Sequence, residues 1–138
     1  MIKILHTADW HIDAPLRNFT DHQRRELRSS LLETPGKIAD LCSREGCDLV
    51  LLAGDVFDGP YSREGYEAVY RALERMEVPV FIAPGNHDPY REVSPWVRER
   101  WRIPITIMND LNPKIPVWIK FRIPSNIKQS AVSKIHLK

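Results

Sequence analysis

Residues Ile2 to Thr7 alternate apolar and polar before the chain turns polar at Asp9, the pattern of a short strand running into a loop. From Asp21 to Leu32 apolar residues recur at helical spacing amid Arg and Glu, and Thr34-Pro35 then reads as an N-cap and first-turn proline opening a second helix to about Arg44. Gly46 closes that helix. Asp48 to Ala53 holds a continuous apolar run between a charged residue and a glycine, too short for a helix and suited to a strand covered on both faces. Ser62 to Met76 sets Tyr66, Val69, Tyr70 and Leu73 on one stripe, which predicts an amphipathic helix packed on a sheet. Val78 to Ala83 is the next strand, with Pro79 near its start where a missing ladder donor is tolerated, and Pro84-Gly85 breaks it. A short helix follows from Ser94 to about Trp101.

Strands alternating with helices on crossovers this long imply parallel strands under helices, in an α/β layered fold. Beyond Arg102 the pattern fails. Pro104, Pro113, Pro116 and Pro124 chop the segment, no glycine occurs after Gly85, and only Val117 to Arg122 reads as a candidate strand.

Length and composition narrow the class. A chain of 138 residues accommodates one domain with a core, and 43% hydrophobic with 28% charged residues is the balance of a soluble folded protein. No apolar run approaches the roughly 20 residues of a membrane helix, and Asp9 interrupts any signal-peptide core, so a cytoplasmic protein without membrane contact is expected. Cys42 and Cys47 are spaced unlike the paired cysteines of zinc sites and read as buried thiols. The net charge of +2 hides an asymmetry: residues 111–138 contain no acid, while Lys114, Lys120, Arg122, Lys128, Lys134 and Lys138 fall there. That shift divides the chain into residues 1–101 and an atypical basic, proline-rich tail at 102–138.

Three polar clusters follow three successive candidate strands: Asp9-Trp10-His11, Gly54-Asp55 and Gly85-Asn86-His87-Asp88. In an open α/β sheet the crevice beyond the strand carboxyl ends is where ligands bind, so parallel neighbours would bring the three loops together. Asp and His one residue apart offer a hard oxygen and an imidazole to a transition metal, and Asn86 can offer a carbonyl oxygen. Each cluster alone is ordinary loop chemistry; their joint order points to a metal site. His6 reads as packed or supporting, His22 as solvated, and Trp10 as packed beneath its strand end ahead of lining a substrate cleft. Arg24, Arg25 and Arg28 cluster on a helix, open to two readings: a solvated face or a contact with a nucleic-acid backbone.

The segments Ile4-Leu5-His6-Thr7-Ala8-Asp9-Trp10-His11, Leu52-Ala53-Gly54-Asp55-Val56-Phe57-Asp58 and Pro84-Gly85-Asn86-His87-Asp88 resemble the first three motifs of calcineurin-like metallophosphoesterases. The wording of the first two is most similar to the SbcD-type nuclease branch, over residues 1 to about 101. The resemblance implies the first half of a two-sheet sandwich and two divalent metal ions, usually Mn2+. It implies Asp9 and His11 on one ion, Asn86 on the other and Asp55 bridging them. His87 would be the catalytic histidine near the scissile phosphate, with Asp58 supporting through loop hydrogen bonds. It further implies DNA as substrate and an SMC-like ATPase partner.

The family completes its site with further histidines in G-H and G-H-x-H loops downstream, which this sequence lacks; His136 fits neither pattern. A truncated product is therefore expected ahead of a short protein whose site another chain completes. The function read from the sequence is metal-dependent phosphodiester hydrolysis of the DNA repair exonuclease type. Its rivals are a non-catalytic binding module and a phosphoesterase for small substrates.

Overall fold

The computed structural model describes residues 1–103 and 105–108. Strand β1 (Ile4–Ala8) leads through a loop to helix α1 (Asp21–Glu45), then β2 (Leu49–Gly54), α2 (Arg63–Met76), β3 (Val80–Pro84), the single-turn α3 (Pro95–Arg98) and β4 (Ile105–Ile107). The strands form one sheet in the order β1-β2-β3-β4. Every pairing is parallel, with Ala8 opposite Ala53 and Gly54 opposite Pro84. All three motif loops therefore leave the same edge of the sheet. The α/β layering expected from the sequence is what forms, and among the described residues there is one sheet.

One helix replaces the two expected between residues 21 and 45. Its cap is Thr20, whose side chain accepts from the Gln23 amide while the Gln23 side chain accepts from the Thr20 amide, a reciprocal capping box. Pro35 then lies inside the helix rather than opening a new one. A proline there removes one backbone donor and crowds the preceding turn. Its ring is fully buried, so packing offsets the loss, and the Thr34 hydroxyl donates to the Ser30 carbonyl instead of capping (2.9 Å). Gly46 ends the helix in the left-handed region (φ 61°), as expected.

Helices α1 and α2 cover one face of the sheet. Ala39 and Cys42 of α1 and Val69, Ala72, Leu73 and Met76 of α2 pack with Val50, Leu52, Val80 and Ile82. Strand β2 is not covered equally on both faces as the apolar run implied: Val50 and Leu52 are buried, while Leu49 and Leu51 are half-buried. Next to them on the same face Ile4 is 50% exposed and His6 is exposed, so of the two readings of His6, packed or supporting, the packed one does not hold. Cys42 is buried and Cys47 partly so, both as free thiols. Burial and the neighbouring Cys47 push the Cys42 thiol up to about 11. The short strand β4 was not foreseen, and the candidate strand at Val117 to Arg122, with His136, lies outside the described residues.

Candidate metal centre

Parallel register alone brings the motif loops together, and backbone hydrogen bonds then continue the β1–β2 pairing past the strand ends. The amides of Asp9, His11 and Ile12 donate to the carbonyls of Ala53, Asp55 and Val56 at 3.2, 3.1 and 2.9 Å, and the Asp58 amide returns to Ile12 at 2.8 Å. The first loop is tightly wound: Asp9, His11 and Asp13 all have positive φ, at 52°, 47° and 67°. Clustered left-handed conformations in side-chain-bearing residues persist only where the surroundings enforce them, and such clusters favour functional loops. The two motif glycines are required by close approach. A Cβ on Gly54 (φ 76°) would collide with the Asp9 carboxylate, and one on Gly85 with the Asp55 carboxylate.

His11, Asp55 and His87 present ligand atoms that all lie within 4.8 Å of one another. The two imidazoles meet edge to face with centroids 5.6 Å apart. Asp55 is 8% exposed, and its Oδ1 accepts the His87 amide at 2.8 Å, tying the third loop to the second. Asp9 Oδ1 accepts the Asp55 amide at 3.2 Å, which ties the second loop to the first. Asn86 is exposed on the same turn as His87, and its side chain has no protein partner among the described residues. Of the residues singled out in the sequence, His11, Asp55 and His87 thus converge directly; Asp9 reaches the group through the Asp55 backbone.

Asp58 lies between the two histidines. Its Oδ2 is 3.5 Å from His11 Nδ1, and its Oδ1 is in short contact with His87 Nδ1. That carboxylate is the chief reason the His87 imidazole is held above its ordinary value; Asp55 and Asp88 add to the effect and partial desolvation opposes it. With both Nδ1 atoms turned to Asp58, the Nε2 atoms are left for other partners.

Two structural carboxylates were not singled out from the sequence. Asp88, 3% exposed, accepts the amides of Val56 and Phe57 on one oxygen (3.1 Å each) and of Gly85 on the other (3.0 Å). Burial pushes its carboxyl up against the downward pull of those three donors. Its own carbonyl receives the Trp96 indole N–H at 2.9 Å, which ties this loop to α3. Asp13 accepts the amide and hydroxyl of Ser62, the N-cap of α2, at 2.7 and 2.8 Å. The only available signal was the acid beside each motif, which does not distinguish a ligand from a loop anchor. Trp10 is buried as expected, with its indole N–H on the Thr7 hydroxyl at 2.8 Å, and His22 lies exposed beside Glu26.

A parallel α/β sheet with carboxylates and imidazoles gathered beyond its strand carboxyl ends defines the class: an α/β protein with a candidate metal site at that edge. The chain belongs to the calcineurin-like phosphoesterase family, whose model matches residues 2–127. It is similar to the SbcD component of the SbcCD nuclease of Rhodobacter capsulatus, 35% identical over 94 residues, which cover 64% of this chain and 22% of that protein. It is also similar to the SbcD component of the SbcCD nuclease of Staphylococcus saprophyticus, 27% identical over 128 residues, 84% of this chain and 31% of that one. The chain thus spans less than a third of the length of these curated relatives. The family is one of phosphoesterase-type hydrolases that use divalent metals. No helix among the described residues is long and apolar enough to cross a membrane.

Proposed function

We propose that this site hydrolyses phosphodiester bonds of DNA with two divalent metal ions, Mn2+ in the first place, as part of an SbcD-like exonuclease. The observation that carries the reading is the convergence of His11, Asp55 and His87 within 4.8 Å at the edge where Asp9, Asp58 and Asn86 also lie. Carboxylate oxygen, amide oxygen and imidazole nitrogen form a mixed donor set suited to a divalent first-row metal, so the residues fit the group. Asp9 and His11 would hold one ion and Asn86 the other, with Asp55 bridging them.

Bound cations would neutralise the phosphate oxygens and make water a nucleophile near neutral pH. The chain's own residues do the rest. Asp58 takes the Nδ1 side of both imidazoles, which would leave the Nε2 of His11 for an ion and that of His87 for substrate. With its imidazolium favoured by that carboxylate, His87 in its protonated form can donate to a phosphoryl oxygen or protonate the leaving oxygen. An SMC-like ATPase is the proposed partner, and a cytoplasmic site of action follows from the same reading. Residues 1–101 carry every motif used.

The test is hydrolysis of an aryl phosphodiester with and without Mn2+, compared with Asp55→Asn, followed by linear duplex DNA. Metal-dependent turnover abolished in the variant is expected, with duplex DNA degraded. No turnover above the variant would refute catalysis by this chain, and preference for the small diester would refute DNA as substrate.

A further inference from the structure

At 25 residues α1 is about 37 Å long, whereas the six residues of β2 span only about 20 Å. The buried residues of α1 are Pro35, Ala39 and Cys42, all in its second half, and that half returns to β2 through a short turn at the far edge of the sheet. Its first half contains no buried residue. Because the strands are parallel and α1 follows β1, the first turns of this arm lie toward the strand carboxyl ends, on the side of the motif loops, while Leu31 and Leu32 already pack against the core.

The arm is charged in an unfavourable way for an isolated helix. Arg24, Arg25 and Arg28 lie in its first turns, where the helix dipole disfavours cations, and Arg28 follows the other two at i+4 and i+3 spacing, where like charges repel. Its acids are already engaged, Asp21 with Arg24, Glu26 with His22 and Glu33 with Lys37. Among the described residues, Arg25 and Arg28 have no acidic partner. They line a groove of about 390 Å³ with Pro15, Asp21 and Arg24. Phe19, 43% exposed, precedes the helix. Pro15 is four residues beyond His11, so a fully extended chain would put the groove wall at most about 14 Å from that histidine.

We propose that this arm is a docking track for the backbone of a nucleic-acid strand, with Arg25 and Arg28 contacting phosphates and Phe19 offering a face on which a base stacks. Uncompensated cations at regular spacing, an exposed aromatic beside them and few exposed apolar side chains fit a polyanion with π faces better than an apolar protein surface. The proposal rests on the phosphodiesterase reading of the site and extends it to how the strand is held.

The experiment measures equilibrium binding of a short fluorescein-labelled single-stranded oligonucleotide in EDTA across a salt series, for the wild type and for Arg25→Gln/Arg28→Gln. Neither arginine has an acidic partner among the described residues, and circular dichroism verifies that the variant is folded. Binding should weaken about ten-fold, and the slope of log affinity against log salt should flatten by about 1.4, two phosphate contacts at about 0.7 each on a single strand. Arg25→Lys/Arg28→Lys should keep most of the slope, and Phe19→Ala should weaken binding without altering it. An unchanged slope in the glutamine variant would overturn the proposal. So would equal affinity for poly-L-glutamate, which would assign the arm to an acidic protein. No turnover is read, so failure of the arm is distinct from failure of the site to hydrolyse an aryl diester.

Discussion

Asp58 offers one carboxylate oxygen to each of two imidazoles, and its replacement separates orientation from charge. In the metal-free protein the folded state favours the His87 imidazolium over its ordinary value of 6.5. A raised histidine value contributes stability that is complete below the unfolded value and is lost as pH rises through the folded one. Asp58→Asn should therefore lower the His87 midpoint in an NMR titration of the metal-free protein. Its stability deficit in urea unfolding should be larger at mildly acidic than at mildly alkaline pH; a constant gap would contradict the coupling. Asp88 is a different case, because its oxygens serve three backbone amides in a buried loop junction. Asp88→Ala should destabilise the protein by about 3 kcal/mol in urea unfolding, since buried donors lose their acceptor. The sequence made Asp58 legible through its motif but not Asp88 or Asp13 as anchors. A carboxylate that accepts backbone amides is defined by which loops the fold brings to it, and no local pattern records that.

Among the elements, strands β1, β2 and β3 were legible to within about two residues because short apolar runs ending in Gly, Pro or Asp leave few alternatives. Helix α2 was read well for the same reason, its stripe being regular and Ser62 capping it. Helix α1 was misread at Thr34-Pro35, where a valid local start signal lost to tertiary burial of the proline ring. The capping box at Thr20 and Gln23 was present in the sequence and marks the true start. Thr20→Ala should cost about 1 kcal/mol by thermal or urea unfolding. Thr34→Ala should cost distinctly less, because its hydroxyl caps nothing and only adds a bond to the turn before. The reverse ranking would favour a helix break at residue 34. Strand β4 was missed because three residues behind a proline carry too little pattern to register.

At the scale of the molecule, the site was legible because a parallel sheet converts three motifs distant in sequence into one edge. The sequence could not show that His87 lies as close to His11 and Asp55 as a ligand would, nor that Asp9 reaches the group through a backbone amide. That arrangement would make metal binding a property of the whole fold. Loops from β1, β2 and β3 must all be in place before the donors converge, so an ion bound there stabilises the folded state by mass action, about 2.7 kcal/mol at a hundred-fold excess over Kd. Mn2+ added to metal-stripped protein should raise the thermal midpoint by several degrees in a concentration-dependent way, and EDTA should reverse the shift. Asp55→Asn should abolish most of it, because the central carboxylate of the group is lost. His22→Ala, on the exposed face of α1, should leave it unchanged. An Mn2+ shift of equal size in Asp55→Asn would mean that the ion binds elsewhere, and the converging donors would then be a hydrogen-bonded loop junction without a metal.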